Sequence, residues 1–496
     1  MQYISTRDKN TTYLASQAIA QGLAPDGGLM TPAYLPKLPG KSLSDLKEMS
    51  YQQRAVYIMK LFLDEFSVKE LTEFAAAAYG PEKFDTPAVA PVRALDDGTF
   101  CLELWHGPTC AFKDMALQML PHLLTASLVK TEEEKTVCIL VATSGDTGKG
   151  ALEGFRDVDR TRILVFYPKD GVSAIQELQM VTQEGKNVGV CSVFGNFDDA
   201  QTGVKKLFNN KELARELSDK GFLLSSANSI NIGRLVPQVV YYVYAYAKLL
   251  ANGEIAKDEK VNVVVPTGNF GNILAAYFAK QMGVPFGKLI CASNDNKVLY
   301  DFFQTGTYDK NREFILTTSP SMDILVSSNL ERLLYLSCGR DAAKTKELME
   351  QLSKNGKYEI TPEMKEFMKD FSAGYADMEE NAKEIKKVFD DTGYLIDTHT
   401  GVAAAVYEQY KAKTGDATKT VIASTASPYK FSRSVMEAVL GKKEDTDEFA
   451  LIDEMERISG VKIPQAIEEI RDAKILHNRQ CKPEEMEETV KQTFSK

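Results

Sequence analysis

Val137-Cys138-Ile139-Leu140-Val141-Ala142 runs directly into Thr143-Ser144-Gly145-Asp146-Thr147-Gly148. Six apolar residues without polar alternation are what a parallel strand buried on both faces requires. A polar glycine turn that then opens a helical pattern is the strand-to-helix step of an open α/β sheet. The signature recurs at Arg162-Ile163-Leu164-Val165-Phe166-Tyr167, Val188 to Val193, Val261-Asn262-Val263-Val264-Val265 and Thr420-Val421-Ile422-Ala423. Helical patterns separate most of these runs, which predicts an α/β core over 91–440.

Around that core the grammar changes. Residues 1–90 read as mainly helical, with apolar residues at helical intervals over 43–49, 55–66 and 68–78. Residues 305–395 hold a loop, Ser319-Pro320-Ser321-Met322-Asp323, and then a Lys- and Glu-rich helical stretch, expected as an insertion between strands. The tail over 441–496 reads as a charged helical extension. A chain of 496 residues exceeds a single hydrophobic core, so two or three domains are expected.

The net charge of −10 argues against a broad nucleic-acid or membrane surface, though not against a small phosphate held by local donors. No apolar run approaches the roughly 20 residues of a membrane span. The opening Met1-Gln2-Tyr3-Ile4-Ser5-Thr6-Arg7 does not read as a signal peptide. Seven scattered cysteines and four histidines without metal-ligand spacing predict a reduced, cytoplasmic protein with no structural zinc.

Five segments carry candidate chemistry. In His106-Gly107-Pro108-Thr109-Cys110-Ala111-Phe112-Lys113-Asp114, one lysine stands behind an apolar run at the mouth of a helix pattern. Desolvation there penalises the ammonium form, and a neutral amine can form a Schiff base with an aldehyde. Read alone, Lys113 is equally a solvated surface charge, and His106 is a packed or hydrogen-bonded residue. The turn Pro266-Thr267-Gly268-Asn269-Phe270-Gly271-Asn272 precedes a helix and offers backbone amides to an anion, although such a turn is often only a tight connection.

The 143–148 loop is a second candidate anion nest, or a cap built from Asp146 or Thr147. It lacks the glycine at 143 and the hydroxyl at 150 of a P-loop. Ser225-Ser226-Ala227-Asn228-Ser229-Ile230-Asn231-Ile232-Gly233-Arg234 sets amide and hydroxyl groups before one arginine, a mixture that suits a doubly charged phosphate or a polar connection. Ser424-Thr425-Ala426-Ser427-Pro428-Tyr429-Lys430-Phe431 follows a strand, where open sheets present ligand groups. A lysine with two anion-binding turns points to pyridoxal phosphate.

Together these segments, with Tyr3-Ile4-Ser5-Thr6-Arg7 and Pro25-Asp26-Gly27-Gly28-Leu29, resemble the threonine synthase family. That family belongs to fold type II of the pyridoxal-phosphate enzymes, the tryptophan synthase β-like group. The resemblance covers essentially the whole chain. It implies two open α/β sheet domains and pyridoxal 5'-phosphate as cofactor. Lys113 resembles the lysine that holds the cofactor as a Schiff base and shuttles protons. Gly268, Asn269, Phe270, Gly271 and Asn272 match the turn that grips the cofactor phosphate. Thr425 matches the hydroxyl partner of the pyridine nitrogen, and Asp146 falls near the phenolic oxygen. Thr143, Ser144 and Thr147 resemble substrate-binding positions; Asn228, Ser229, Asn231 and Arg234 resemble the pocket for the substrate phosphate. Ser321 and Asp323 lie in a family-like segment whose role stays open. The implied reaction turns O-phospho-L-homoserine and water into L-threonine and phosphate, in a monomer or homodimer. A phospho-lyase giving 2-oxobutanoate, ammonia and phosphate is the alternative on the same scaffold.

Overall fold

Burial on both faces of Thr136–Ala142 is met by a five-stranded sheet, all parallel. Its spatial order is Arg479–Cys481, Val188–Val193, Thr161–Pro168, Thr136–Ala142, Phe222–Ser225. A second sheet of six strands runs Phe371–Tyr375, Phe286–Ser293, Val261–Pro266, Thr420–Ser424, Thr99–Glu103, Val92–Ala94. Five of these are parallel, and only Val92–Ala94 is antiparallel to its neighbour. The computed structural model describes residues 1–38 and 42–494. No helix among them is long and apolar enough to cross a membrane.

Every long apolar run singled out in the sequence is a strand of one of these sheets. Apart from the five-residue edge strand Phe371–Tyr375, departures occur where strands are short. Residues 1–90 contain, besides helices such as Tyr51–Phe62 and Val68–Ala78, a three-stranded antiparallel sheet of Thr12–Tyr13, Tyr3–Ser5 and Met30–Pro32. Strands of two or three residues show no period. The 305–395 segment, expected as a helical insertion, supplies the edge strand Phe371–Tyr375 and the pair Thr307–Asp309 with Lys357–Glu359. The tail similarly adds Arg479–Cys481 to the edge of the five-stranded sheet.

One helix, Ile232–Ala251, is apolar almost all round and lies buried along most of its length, as a core helix must. Asn231 caps it by accepting from the Gly233 amide at 2.9 Å, and Arg234 sits in its first turn. Near the start of the six-stranded sheet, His106 bridges Asp85 (2.6 Å) and Glu103 (2.7 Å) and stacks on Trp105. Burial alone would lower its pKa, but the two carboxylates push it up to about 9, so the residue acts as a charged strut.

Helix Asp146–Phe155 lies against helix Asp114–Leu117 through a face of small residues. A Cβ at Gly154 would stand 2.2 Å from the Leu117 carbonyl oxygen, which is backbone and cannot swing away. This close approach fixes the Lys113 segment against the 146–155 helix. Gly154→Ala therefore overpacks the joint and destabilises the fold by about 1–3 kcal/mol. A thermal melt checks this: Tm falls by several degrees, whereas an unchanged Tm would show that the two helices are free to separate.

Candidate active site

All five candidate loops leave the carboxyl ends of parallel strands, where open α/β sheets present ligand groups. The lysine loop is tied to the end of strand Thr420–Ser424. Ala111 forms an antiparallel bridge with Ala426, the Phe112 amide donates to the Thr425 carbonyl at 2.8 Å, and the Ser427 amide donates to Cys110 O at 3.0 Å. Asp114 closes the loop from inside, accepting from the Thr109 amide (2.8 Å) and hydroxyl (2.7 Å). Burial pushes its carboxyl up to about 6 despite those two bonds. Half-buried Lys113 then aims Nζ at Ser321 Oγ, 3.5 Å away. Desolvation lowers its pKa to about 8; Asp146 opposes the shift, while Arg234 and Lys430 add to it.

Asp146 begins the 146–155 helix behind Gly145, whose φ of 127° favours glycine. Its Oδ1 faces Lys430 Nζ at 2.8 Å and Gln176 Nε2 at 2.9 Å, and its Oδ2 accepts from Ser321 Oγ at 3.1 Å. Burial would raise this carboxyl, but Lys430 and Lys113 together hold it far below the usual range. Lys430 is wholly buried and also donates to Thr109 O at 2.8 Å. In the same loop, Thr143 Oγ accepts from the Gly145 and Gly148 amides at 3.0 and 2.8 Å, so this hydroxyl shapes the turn. The Ser144 and Thr147 hydroxyls are half-buried and form no hydrogen bond within the described residues.

From Gly268 to Phe270 the 266–272 turn has carbonyls engaged and amides free, whereas the Thr267 amide before them donates to Ala292 O at 2.9 Å. Gly268 O accepts from Ser327 Oγ at 2.7 Å, and Asn269 O accepts from the Asn329 amide at 3.0 Å. Among the described residues the amides of Gly268, Asn269 and Phe270 have no acceptor. Those of the first turn of helix Gly271–Met282 have none by construction. Phe270 holds the left-handed conformation (φ 64°) with its ring buried, while Asn269 is exposed. A Cβ at Gly268 would meet Ser321 O at 2.6 Å, so the turn admits no side chain there. Asn272 Oδ1 accepts from the Tyr241 and Tyr242 hydroxyls, and its Nδ2 is buried without a partner. A buried orphan donor at the positive end of a helix fits a phosphate.

Arg234 presents the second unfilled donor. Its Nη1 donates to Ala227 O at 2.8 Å, and its Nε is buried without a partner. Burial lowers its pKa to about 10, which still leaves the guanidinium charged near neutrality. The neighbouring expected residues divide. The Asn231 side chain is engaged at both ends, capping the helix and donating to Ile19 O at 2.9 Å, so it braces the loop. Ser229 Oγ accepts from Asn329 Nδ2 at 3.2 Å. Asn228 is half-buried, and its side chain has no partner among the described residues. Thr425 is buried at the same strand end, with its hydroxyl likewise unengaged.

Sequence reasoning gave no role to Lys430, Gln176 or His399. Lys430 had one readable signal, a lysine set between Tyr429 and Phe431 just after a buried strand. A surface groove of about 420 Å³ lined by Phe302, Phe303, Ile360 and Phe371 contains none of these groups. The convergence of amine, carboxylate and anion donors at the strand ends marks the site instead.

Three family models match in series: threonine synthase N terminus over residues 2–79, pyridoxal-phosphate dependent enzyme over 85–426, and threonine synthase C-terminal over 400–477. Threonine synthase of Saccharomyces cerevisiae is 36% identical over 505 residues, covering 96% of each chain. Threonine synthase-like 1 of Homo sapiens is 40% identical over 88% of this chain, which spans only 60% of that relative's length. The crystal structure of PLP-bound threonine synthase from Brucella melitensis superposes with a TM-score of 0.87 at 36% identity, covering 100% of both chains. The two-sheet arrangement is thus that of fold type II, and the chain belongs to the threonine synthase family of pyridoxal-phosphate-dependent enzymes.

Proposed function

We propose that this chain is a threonine synthase, converting O-phospho-L-homoserine and water to L-threonine and phosphate. The observation that carries the reading is one readily deprotonated amine, Lys113, with two separate anion sites at the same strand ends. Each site contains a buried donor without a partner, Asn272 Nδ2 and Arg234 Nε. One anion site suits a cofactor phosphate and the other a substrate phosphate. A serine or threonine dehydratase would need only the first.

In this reading Lys113 Nζ would hold pyridoxal phosphate through its aldehyde, and the 268–272 amides with Asn272 would hold its phosphate. Thr425 would meet the pyridine nitrogen with a hydroxyl, leaving that nitrogen unprotonated, and Asp146 would lie near the phenolic oxygen. When bound, the cofactor supplies the aldehyde and an electron-withdrawing ring that acidifies the substrate's α-carbon. Lys113 Nζ would take the substrate's α-proton and return protons to carbon. The Ser144 and Thr147 hydroxyls would hold the substrate carboxylate. Arg234, with Asn228 and Ser229, binds the γ-phosphate and stabilises the charge that gathers on it as it leaves. Water then adds at the β-carbon. Seven free cysteines in the described residues accord with a reducing, cytoplasmic setting.

Product analysis of the pyridoxal-phosphate-loaded protein with O-phospho-L-homoserine tests the reading. Threonine and phosphate in equal amounts support it. Phosphate with 2-oxobutanoate and ammonia makes the chain the phospho-lyase, and absence of phosphate overturns the substrate. Lys113→Ala should lower turnover by about 10³-fold or more and remove the Schiff-base absorption; retained turnover would refute the lysine's role. Arg234→Ala should weaken substrate binding by roughly 30- to 100-fold while cofactor content stays near wild type. Loss of cofactor in that variant would put Arg234 in the wrong anion site.

A further inference from the structure

Ser321 lies in a turn, Pro320–Met322, that inserts between Lys113 and Asp146. Its hydroxyl donates to Asp146 Oδ2 at 3.1 Å and receives Lys113 Nζ at 3.5 Å. Among the described residues no ion pair joins Lys113 to Asp146 within 4.0 Å, although a buried carboxylate would be the natural partner for a nearby ammonium. The carboxylate is already satisfied. Lys430 and Gln176 take one oxygen, and Ser321 takes the other.

The turn is itself held from behind. The Ser321 amide donates to His399 Nε2 at 3.1 Å, so that nitrogen is the acceptor and the ring proton sits on Nδ1. Nδ1–H points at Asp397 Oδ2, 2.8 Å away. Asp397 is fully buried and caps helix Thr398–Thr414, accepting from the His399 and Thr400 amides and from the Thr400 hydroxyl. With its acceptor positions taken in this way, Asp397 fixes the imidazole's tautomer and orientation. A carboxylate and a histidine deep in the fold thus have one outward task, to place the backbone of Ser321.

We propose that Ser321, held by the Asp397–His399 pair, is a positioning residue that keeps the Lys113 amine off the Asp146 carboxylate. The inference rests on Lys113 being the Schiff-base lysine proposed above. Direct contact with a carboxylate favours the ammonium form by about one unit or more. A lysine that must attack an aldehyde and later accept a carbon-bound proton needs the opposite. The groups facing Lys113 are Asp146 on one helix, Arg234 on another, Lys430 from the 428–431 turn, and Ser321 with His399 behind it. Only Asp146 favours the charged amine, and Ser321 is the group that separates the two.

The test is the rate at which the full chain, stripped of cofactor, forms its Schiff base with added pyridoxal 5'-phosphate, followed by absorbance across pH. Cofactor titration is common to every variant and cancels in the comparison. In Ser321→Ala the midpoint should rise by about one pH unit, so that the rate near neutrality falls about tenfold. Ser321→Thr, which retains the hydroxyl, should restore the wild-type midpoint. His399→Ala frees the turn and should move the midpoint in the same direction, which provides an independent reading should Ser321→Ala not fold. A midpoint that stays put or falls in folded Ser321→Ala overturns the proposal while leaving the assignment of Lys113 intact. A Lys113→Ala protein that still forms the Schiff base would overturn that assignment, and the spacer role with it.

Discussion

Asp146 and Lys430 face each other at 2.8 Å with almost no exposure on either side. Removing two charges from water is expensive, and such a pair survives only when its remaining valences are filled. Here they are filled from both sheets. Asp146 comes from the loop after Thr136–Ala142, in the five-stranded sheet; Lys430 comes from the turn after Thr420–Ser424, in the six-stranded one. Gln176 and Ser321 complete the carboxylate, and the Thr109 carbonyl receives the ammonium. The pair joins the carboxyl ends of the two sheets and sets the electrostatic level of the cleft between them. Lys113 is poised within that level: burial, and then the neighbouring cations Arg234 and Lys430, push its proton off, while one anion, Asp146, opposes them.

Free donors separate binding from scaffolding within this site. Asn231 and Asn272 look alike in sequence, each an asparagine at the start of a helix within two residues of a glycine. In space Asn231 has both amide atoms engaged, whereas Asn272 keeps Nδ2 buried and unpaired. The same contrast divides Thr143, whose hydroxyl shapes its own turn, from Ser144 and Thr147, whose hydroxyls remain available. Native interiors rarely leave such donors empty. The unpaired donors of Asn272 and Arg234 lie on loops at strand ends, which is where the proposed reading seats its two phosphates.

How much of this could be read beforehand depends on how local the cause is. Val137 to Ala142 declares a strand because burial on both faces demands an unbroken apolar run, and that demand acts residue by residue. Arg479–Cys481 makes no such declaration. It is a three-residue edge strand whose position depends on pairing with Val188–Val193, from a distant part of the chain. Lys113 was legible because the apolar run around it predicts desolvation. Lys430 was not, since nothing near it in sequence announces that Asp146 waits across the cleft.

His399 marks the limit of sequence reading most clearly. It sits in an unremarkable Asp397-Thr398-His399-Thr400 stretch that reads as a capped helix start, and Asp397 does serve as that cap. The second use appears only when strand Thr420–Ser424 and the Pro320–Met322 turn are in place. The helix cap then becomes the anchor of a hydrogen-bonded line from Asp397 through His399 to the Ser321 backbone, and from the Ser321 hydroxyl to Lys113. A buried carboxylate needed to start one helix thereby also fixes the turn that spaces the reactive amine. Stability and reactivity share the same residue, so substitutions at Asp397 act on both at once; those at Ser321 act on the amine and also withdraw a hydrogen bond from the buried Asp146 carboxylate.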